Sequence, residues 1–452
     1  MQKILASLRA NIGYNAWQNS FIRQAINRVY SPIENLLYRF LEWLAAKSLI
    51  FSALKFLSSH IASLIAFAIV FVSGVPDRFW SNKFIYLIAF GMWILNIYNK
   101  DKKRIAFEDL FVVFVLGVIL ASVLSIHARL SAKYLLNYMA VFVLFAIFIN
   151  NVNKEELVII INGITFGTLM VSVFGVLQKH IIGVSINLSQ TDISISQELT
   201  GRVYSTMGNP NVLGEYFILT LPLIIANFLY SEKKFIKAIS AFTVLISLYV
   251  LLSTGSRSAW ASFALCVIVF VLFYKPRLLP ILVMLGLISF FFMPQNIQTR
   301  VVSMFNKHDT SLNYRKHIYN CAEIMKDDYQ LLGGVGVGNE VFQSAFENYK
   351  VKELTKVAHS HNLYLQIAIE MGLMTLIALI LYIIKTVLQA LANRADDKMQ
   401  RLVQIACIAS IAGFMLMSVA DYTWFYLRIV YMFFTTLAIL SVSNNKNTRS
   451  LS

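Results

Sequence analysis

The chain has 452 residues, of which 58% are hydrophobic and only 14% are charged, and its formal net charge is +16 at pH 7. A soluble domain has about 45–50% apolar and about 25% charged residues, so this composition excludes an ordinary soluble globular protein. The basic charge alone would also suit nucleic acid, but basic loops on the cytoplasmic side of a membrane protein explain it better, so we expect no nucleic-acid partner.

Long apolar runs separated by short polar stretches occupy most of the chain from residue 60 onwards. Hydrocarbon cannot hydrogen-bond to exposed backbone N–H and C=O groups, so runs of this length are expected to cross a membrane as helices. The sequence therefore predicts an all-α, polytopic integral membrane protein with about twelve transmembrane helices, near residues 60–76, 82–98, 109–126, 133–150, 156–178, 212–229, 235–252, 258–274, 278–293, 361–385, 401–420 and 425–442.

The segment before the first span, residues 1–57, is basic and amphipathic. After Pro32, apolar residues keep helical spacing with basic residues between them, which is typical of a helix lying in the cytoplasmic membrane interface. A further tightly packed element is the alternative. We interpret residues 58–442 as the transmembrane domain and residues 443–452 as a cytoplasmic tail.

Basic residues concentrate in the N-terminal segment and in alternate loops, which all fall on one side of the membrane if about twelve spans are present. By the positive-inside rule that side is the cytoplasm. The other side then receives residues 179–211, the short turn 253–257 and a long loop, about 294–360, between the ninth and tenth spans. We therefore expect a multi-pass protein of the inner (plasma) membrane with its active site on the extracytoplasmic side. The basic loop residues are Lys100, Lys102, Lys103, Arg104, Lys154, Lys233, Lys234, Lys237, Lys275, Arg277, Arg394, Lys398 and Arg401.

Two polar clusters lie at span entrances on the predicted outer side. In the first, Asn209 or Asn211 is expected to cap the following helix, because asparagine accepts hydrogen bonds from the free N–H groups at a helix start. A cap does not explain Arg202, although an arginine at a membrane boundary can also extend to lipid phosphates. In the second, Arg257 opens a span, where its burial is costly without an anionic partner.

The long outer loop contains Arg315 within an amphipathic helix predicted over residues 312–326. A glycine-rich run, residues 332–338, follows that helix. We do not interpret the run as a dinucleotide-binding motif, because no strand is predicted before it and no βαβ unit surrounds it.

Two histidines, His359 and His361, stand at the entry to the tenth span. They could share a metal ion, but the sequence shows no third ligand with suitable spacing nearby. The three cysteines are far apart and form no metal-binding pattern. We therefore expect no metal and no cofactor, and we interpret the histidines as candidates for a general base near neutral pH.

The outer side thus combines several arginines with one or two histidines. Guanidinium groups bind phosphate through bidentate, charge-assisted hydrogen bonds. A lipid pyrophosphate held in this way is a good leaving group without a metal, and a histidine then has only to take a proton from an attacking hydroxyl.

Four pieces of sequence carry a resemblance to a known family: RVYSTMGNPNVLGEY (202–216), STGSRSAW (253–260), YRKHIYNCAEIMKDDYQLLGGVGVG (314–338) and HSHNLYLQIAIEMG (359–372). Over about residues 200–375 the chain resembles the bacterial O-antigen ligase and polymerase superfamily, membrane glycosyltransferases that act on undecaprenyl-pyrophosphate-linked glycans. The ligases are described by a histidine with a glycine eleven positions later. His361 and Gly372 have this spacing, whereas His359 has no such glycine.

The resemblance implies that Arg202, Arg257 and Arg315 bind the pyrophosphate and that His361 acts near the acceptor. Many relatives have a tryptophan a few residues after the arginine that corresponds to Arg315, and here His317 and Tyr319 occupy that neighbourhood. The expected site therefore has His361 as its catalytic residue and, as substrate-binding residues, Arg202, Arg257, Arg315, Asn209, Asn211 and His359.

These features predict a metal-independent glycosyltransferase that moves a glycan from undecaprenyl pyrophosphate to an acceptor hydroxyl. Lipid A core, another glycan repeat unit and a protein side chain all remain open as acceptors, and membrane lipids surround the chain. The alternative is a membrane transporter for inorganic carbon or another small anion. A carrier needs charged or helix-breaking residues at mid-membrane. The visible charged exceptions, Glu370 and Arg428, both lie towards the predicted outer half, which favours the enzyme.

Overall fold

The computed structural model describes residues 32–33, 35–37, 39–40, 49–99, 109–184, 201–302, 310–329, 333–351, 354 and 357–444. This part of the chain is helical and contains no strand, which confirms the all-α prediction. Most of the basic segment 1–57 and of the tail 443–452 lies outside the described residues, so the predicted interfacial helix and cytoplasmic tail stay predictions.

The described residues from Leu49 onwards form seventeen α-helices, joined in places by single 3₁₀ or π turns. In chain order they are α1 Leu49–Ser58, α2 Ile61–Gly74, α3 Lys83–Tyr98, α4 Asp109–Val123, α5 Ala128–Asn151, α6 Leu157–Leu177, α7 Pro210–Tyr230, α8 Lys234–Ser253, α9 Arg257–Tyr274, α10 Leu279–Phe292, α11 Gln295–Val302, α12 Thr310–Asp328, α13 Asn339–Phe346, α14 Leu363–Met371, α15 Leu373–Ala392, α16 Lys398–Ala420 and α17 Leu427–Asn444.

Eight of these helices are long and apolar enough to cross a membrane, namely α5 to α9 and α15 to α17. The pair α1 and α2, bent by 80°, adds a ninth candidate. Three shorter apolar helices, α3, α4 and α10, lie where the sequence predicted further spans. The structure therefore supports a polytopic membrane protein, and the count of about twelve spans stays a prediction.

The predicted tenth span, residues 361–385, is wrong in its bounds. The helix breaks at Gly372, whose φ of +85° no helix can contain. α14 ends before this glycine, and the membrane-length helix α15 begins after it and continues to Ala392. The apolar pattern runs on unchanged across the break, so periodicity alone could not reveal it. Glycine adopts this left-handed conformation without the steric cost that a Cβ imposes.

The helices α7, α16 and α17 form the centre of the bundle. In their most apolar stretches 83%, 78% and 94% of the residues are buried, against 28% in α8 and in α9. Small residues allow close packing here: a Cβ on Gly413 of α16 would lie 2.1 Å from Cys266 Sγ of α9. Close helix approach through small residues is typical of membrane bundles.

The described part of the long loop between α10 and α14 contains three helices, α11 to α13, and has its own apolar core. The predicted amphipathic helix over 312–326 is confirmed as α12, which packs with α13 against one side of α14. We call α12, α13 and the segment 333–338 between them the outer layer. Its buried core residues include Ile318, Ala322, Met325, Val335, Val341, Phe342 and Phe346.

Arg428, in the first turn of α17, is 1% exposed. It contacts both the loop between α2 and α3 and the segment before α7. Its Nη1 donates to Thr206 O at 2.9 Å, its Nη2 lies 3.4 Å from Asp77 Oδ1, and its guanidinium stacks 4.3 Å from the centre of the Trp80 ring. These contacts give Arg428 a structural role at the end of the bundle. Glu215 is a further carboxyl residue within a span; it was not singled out from the sequence and is 2% exposed in α7.

Candidate functional site

Side chains from distant parts of the sequence meet at one end of the helix bundle. Hydrogen bonds join the segment before α7 and the helix α11 to the turn between α8 and α9. Others join α12 to the loop before α14, and that loop to the end of α16. The side chains in this group are Arg202, Asn211, Arg300, Tyr319, His359, His361 and Asp421.

Arg202 and Arg300 both contact the tight turn between α8 and α9. Arg202 Nε donates to Thr254 O at 2.7 Å, and Arg300 Nε donates to Gly255 O at 2.6 Å. A Cβ on Gly255 would lie 3.5 Å from Arg300 Cζ and 3.6 Å from Arg202 Cγ. Gly255 also has a φ of +59°, which favours glycine. The turn therefore brings two guanidinium side chains close together.

The surroundings of Arg202 disfavour its protonated, positively charged form. Burial, followed by the charges of Arg300 and Arg315, lowers the pKa of Arg202 to about 9, and Asp421 acts in the opposite direction. Arg257 adds a further positive charge nearby. These four arginines are half-buried, and holding like charges close together with reduced access to water is costly unless an anion joins them. The group is therefore suited to a multiply charged anion such as phosphate.

Asn211 connects the arginines to the histidines. Its Oδ1 accepts from Arg202 Nη2 at 2.9 Å, and its Nδ2 donates to Asp421 Oδ2 at 3.0 Å. The other carboxylate oxygen, Asp421 Oδ1, lies 3.3 Å from His361 Nδ1. One continuous hydrogen-bonded chain thus runs from the guanidinium of Arg202 to the imidazole of His361.

His361 is held in a conformation that a non-glycine residue rarely adopts. Its φ is +52°, and among the described residues only Ser205 is another non-glycine residue with positive φ. The backbone of His361 is fixed on both sides: its N–H donates to His359 Nδ1 at 3.1 Å, and its carbonyl accepts from Tyr319 OH at 2.9 Å. Strain of this kind persists only where the surrounding structure enforces it, and such positions cluster at functional sites.

Asp421 directly follows α16 and is 7% exposed. Burial alone would raise its pKa, but the hydrogen bond and charge of His361, followed by the charge of Arg315, hold that pKa well below its usual range. An ionised carboxylate beside Nδ1 favours the tautomer of His361 with its proton on Nδ1. The geometry therefore leaves Nε2 of His361 as a proton acceptor.

His359 packs against two aromatic rings. Its ring centre lies 5.0 Å from that of Phe425 and 5.7 Å from that of Tyr422. Burial, followed by the charge of His361, lowers the pKa of His359 to about 3. His359 is therefore neutral near pH 7, with Nδ1 accepting the backbone N–H of its neighbour.

The remaining expected residues lie around this group. Arg257 begins α9 directly after the turn that holds Arg202, and Arg315 lies one helical turn before Tyr319 on α12. Asn209 is the N-cap of α7, because its side chain accepts from Asn211 N at 2.8 Å, which confirms the predicted cap. The side-chain oxygen of Asn209 is therefore engaged in capping the helix.

Three residues of this group were not among the site residues predicted from the sequence: Asp421, Arg300 and Tyr319. Asp421 lies 60 positions after His361, between two apolar helices. The available signal was its location: a carboxylate at a span boundary on the predicted outer side. Tyr319 and Arg300 gave weaker signals, because nothing in the sequence shows which face of the long loop meets the bundle.

The sequence showed no third metal ligand near the two histidines, but the folded structure brings Asp421 next to them. One ligand atom each from His359, His361 and Asp421 lie within 4.8 Å of one another. Hydrogen bonds already occupy this group, however: Asp421 Oδ1 also accepts from Tyr422 N at 2.9 Å, and His359 Nδ1 accepts from His361 N. The nearby arginines further disfavour a cation. The residues fit a histidine–carboxylate pair better than a metal centre.

The O-antigen ligase family model matches residues 242–380 of this chain, which is less than a third of its length. The matched range runs from α8 into α15 and includes Arg257, Arg300, Arg315, His359 and His361. Comparison with curated proteins gives no match. The family match confirms the resemblance found in the sequence and supports, in general terms, a membrane glycosyltransferase of the O-antigen ligase or polymerase type.

Proposed function

We propose that the protein transfers a glycan from undecaprenyl pyrophosphate to an acceptor hydroxyl, with His361 as general base and the arginines as pyrophosphate ligands. The observation that carries this proposal is the hydrogen-bonded chain from Arg202 through Asn211 and Asp421 to His361. It supports the proposal because it links an arginine to a histidine whose Nδ1 lies beside a carboxylate, which leaves Nε2 to accept a proton.

The donor phosphates would lie among Arg202, Arg257, Arg300 and Arg315. Arg300 joins the three arginines expected from the sequence because it shares the Gly255 turn with Arg202. Guanidinium groups stabilise the charge that develops on a departing pyrophosphate, and their effect is larger in a site with little water. An extracytoplasmic position at the end of the bundle suits a lipid-linked donor, because its phosphates lie at the membrane interface.

In the transfer step, the acceptor oxygen forms a bond to the anomeric carbon while the bond from that carbon to the pyrophosphate oxygen breaks. The bonding electrons leave with undecaprenyl pyrophosphate, whose charge the arginines stabilise. His361 Nε2 takes the hydroxyl proton, and Asp421 stabilises the imidazolium that results. A single displacement of this kind inverts the anomeric centre.

The charged residues that a carrier would require have other roles here. Arg428 fastens loops at the end of the bundle. Glu370 is 0% exposed and bonds to Gln366 Nε2 and to Gly338 N. These contacts support the enzyme over the transporter, because neither residue is needed to line a path.

The test is transfer by the purified protein. Detergent-solubilised protein is given an undecaprenyl-pyrophosphate-linked glycan with, in turn, lipid A core, a second lipid-linked repeat unit and a serine-containing peptide. We expect product with one acceptor class, its loss in His361→Ala, and its retention in His60→Ala, which changes an exposed histidine before the start of α2 that bonds to Phe56 O. Equal activity of wild type and His361→Ala would contradict the proposal.

A further inference from the structure

Glu370, near the end of α14, is a fully buried carboxyl group that the transfer step does not use. Its Oε2 accepts from Gly338 N at 2.9 Å, and its Oε1 accepts from Gln366 Nε2 at 2.7 Å. Gln366 lies one helical turn earlier and is also 0% exposed. Gln366 and Glu370 therefore form a hydrogen-bonded pair that is buried inside the protein.

The glycine-rich segment 333–338 brings the outer layer to this carboxyl group. Val335 N donates to Ile369 O at 2.8 Å, and Gly336 N donates to Glu370 O at 3.1 Å, so the segment satisfies free carbonyls at the end of α14. A Cβ on Gly338 would lie 2.2 Å from the Tyr134 ring, so only glycine fits where its N–H meets Glu370. The glycine-rich segment thus joins the outer layer to the end of α14.

On its other side, the pair reaches the loop that carries His361. Gln366 Oε1 accepts from Ser360 N at 2.7 Å, and Ser360 is 0% exposed. Ser360 Oγ in turn donates to Asn362 O at 2.9 Å. The residues on both sides of His361 are therefore fixed, and the first of these contacts depends on the orientation of the Gln366 amide.

We propose that Gln366 and Glu370 are positioning residues that hold His361 in its strained conformation for proton transfer. This inference rests on the proposed function. Glu370 accepts from the Gln366 amide nitrogen, which forces the amide oxygen towards Ser360 N. The same carboxylate also accepts a hydrogen bond from Gly338 N. Packing of the outer layer against α14 and the orientation of the loop that contains His361 therefore both depend on Glu370.

The hydrogen-bond donors and acceptors around Gln366 and Glu370 are matched in number, which allows the proposal to be tested by exchanging the two residues. Three N–H donors, from Ser360, Gln366 and Gly338, meet three acceptor oxygens. Glu370→Gln introduces an NH₂ group that faces one of these donors, and Gln366→Glu places two carboxyl groups together. In the double variant the carboxylate at 366 accepts from Ser360 N and from the amide at 370. The amide oxygen at 370 then accepts from Gly338 N, so every donor again has an acceptor.

The experiment measures glycan transfer and the accessibility of His361 in the full-length protein. We expect each single variant to lower kcat by about 10–100-fold, the loss typical of a misplaced catalytic group, with the KM for the lipid-linked donor changed by less than about threefold. The double variant should recover kcat to within about threefold of wild type. The rate at which diethyl pyrocarbonate modifies His361, read by peptide mass spectrometry, should rise in the single variants and return in the double variant.

The matched control is Gln404→Glu, the same substitution at another buried glutamine, which bonds to Asn393 O and Ser443 O far from the histidine loop. It should lower the unfolding temperature without changing kcat or the modification of His361. A double variant as slow as the single ones, folded single variants with wild-type kcat, or an equal loss in Gln404→Glu would overturn the proposal. If wild type transfers no glycan, the proposed function fails, while the modification pattern still tests the positioning of His361.

Discussion

The amide of Asn211 donates to the carboxylate of Asp421 at 3.0 Å, across 210 positions of sequence. Asn211 lies in the first turn of α7 and Asp421 follows the end of α16, and these two helices pack closely at the centre of the bundle. The same amide accepts from Arg202. The bundle core therefore sets the distance between the arginines and the two histidines.

Replacing Asn211 by aspartate should uncouple these two groups. The new carboxylate still accepts from Arg202, but it faces Asp421 with like charge instead of an N–H donor. We expect transfer to fall about 10–100-fold, the range that follows from losing a hydrogen bond to a charged group, measured as kcat with purified protein. Asn348→Asp, at an exposed asparagine just after α13, is the control. Wild-type transfer by Asn211→Asp would show that the coupling has no role.

The two histidines should differ in their effects. His361→Ala should remove transfer by about 10²–10⁴-fold while donor binding stays close to wild type, because a general base acts only in the chemical step. His359→Ala should be milder, since His359 supports the backbone of His361 through Nδ1. His359→Asn, whose side-chain oxygen can accept the same N–H, should recover part of the loss. Single-turnover transfer and equilibrium donor binding measure both effects, and a reversed order of the two alanine variants would contradict the assignment.

The arginines should affect donor binding as well as transfer. Arg257→Ala and Arg300→Ala should each raise the donor KM about tenfold or more, since each removes a charge-assisted bond to phosphate. Arg257→Lys should recover only part of the loss, because ammonium cannot form the bidentate contact of a guanidinium. Arg78→Ala, an exposed arginine that stacks on Phe79, serves as the control. Unchanged KM in both alanine variants would place the pyrophosphate elsewhere.

Transfer should not require a divalent metal. The ligand atoms of His359, His361 and Asp421 already bond to one another or to backbone groups, and arginines lie nearby. The rate of the purified protein should therefore be the same with and without excess chelator. Loss of activity in chelator, with recovery on adding magnesium, manganese or zinc, would instead make these three residues a metal site.

The site should face away from the cytoplasm. In a variant without the three native cysteines, a cysteine introduced at Asn348, just after α13, should react with an impermeant maleimide in whole cells. Cysteine at Asn153, in a predicted cytoplasmic loop, should react only after lysis. Both positions are exposed in the structure. The opposite labelling pattern would invert the topology and place the proposed site inside the cell.

The sequence alone was sufficient for features that depend on local pattern. Apolar runs predicted helices at the expected spans, although the tenth is broken at Gly372. Amphipathic spacing predicted α12, and asparagine before an apolar run predicted the cap of α7. The family resemblance also came from contiguous pieces, and the family match over residues 242–380 confirms it. Local propensity and hydrophobic periodicity decide these features, so neighbouring residues contain the information.

Only the tertiary structure decided which distant residues meet. Asp421 reaches His361, and Glu370 meets Gly338, because helices far apart in the sequence pack side by side. Gly372 ends α14 through a backbone angle that leaves the apolar pattern unchanged. A hydrogen bond depends on distance and direction in space, and in a helical bundle those are set by packing between helices. One sequence cannot specify that packing through spacing alone, which is why the arginine and histidine types were predicted but their connection through Asn211 and Asp421 was not.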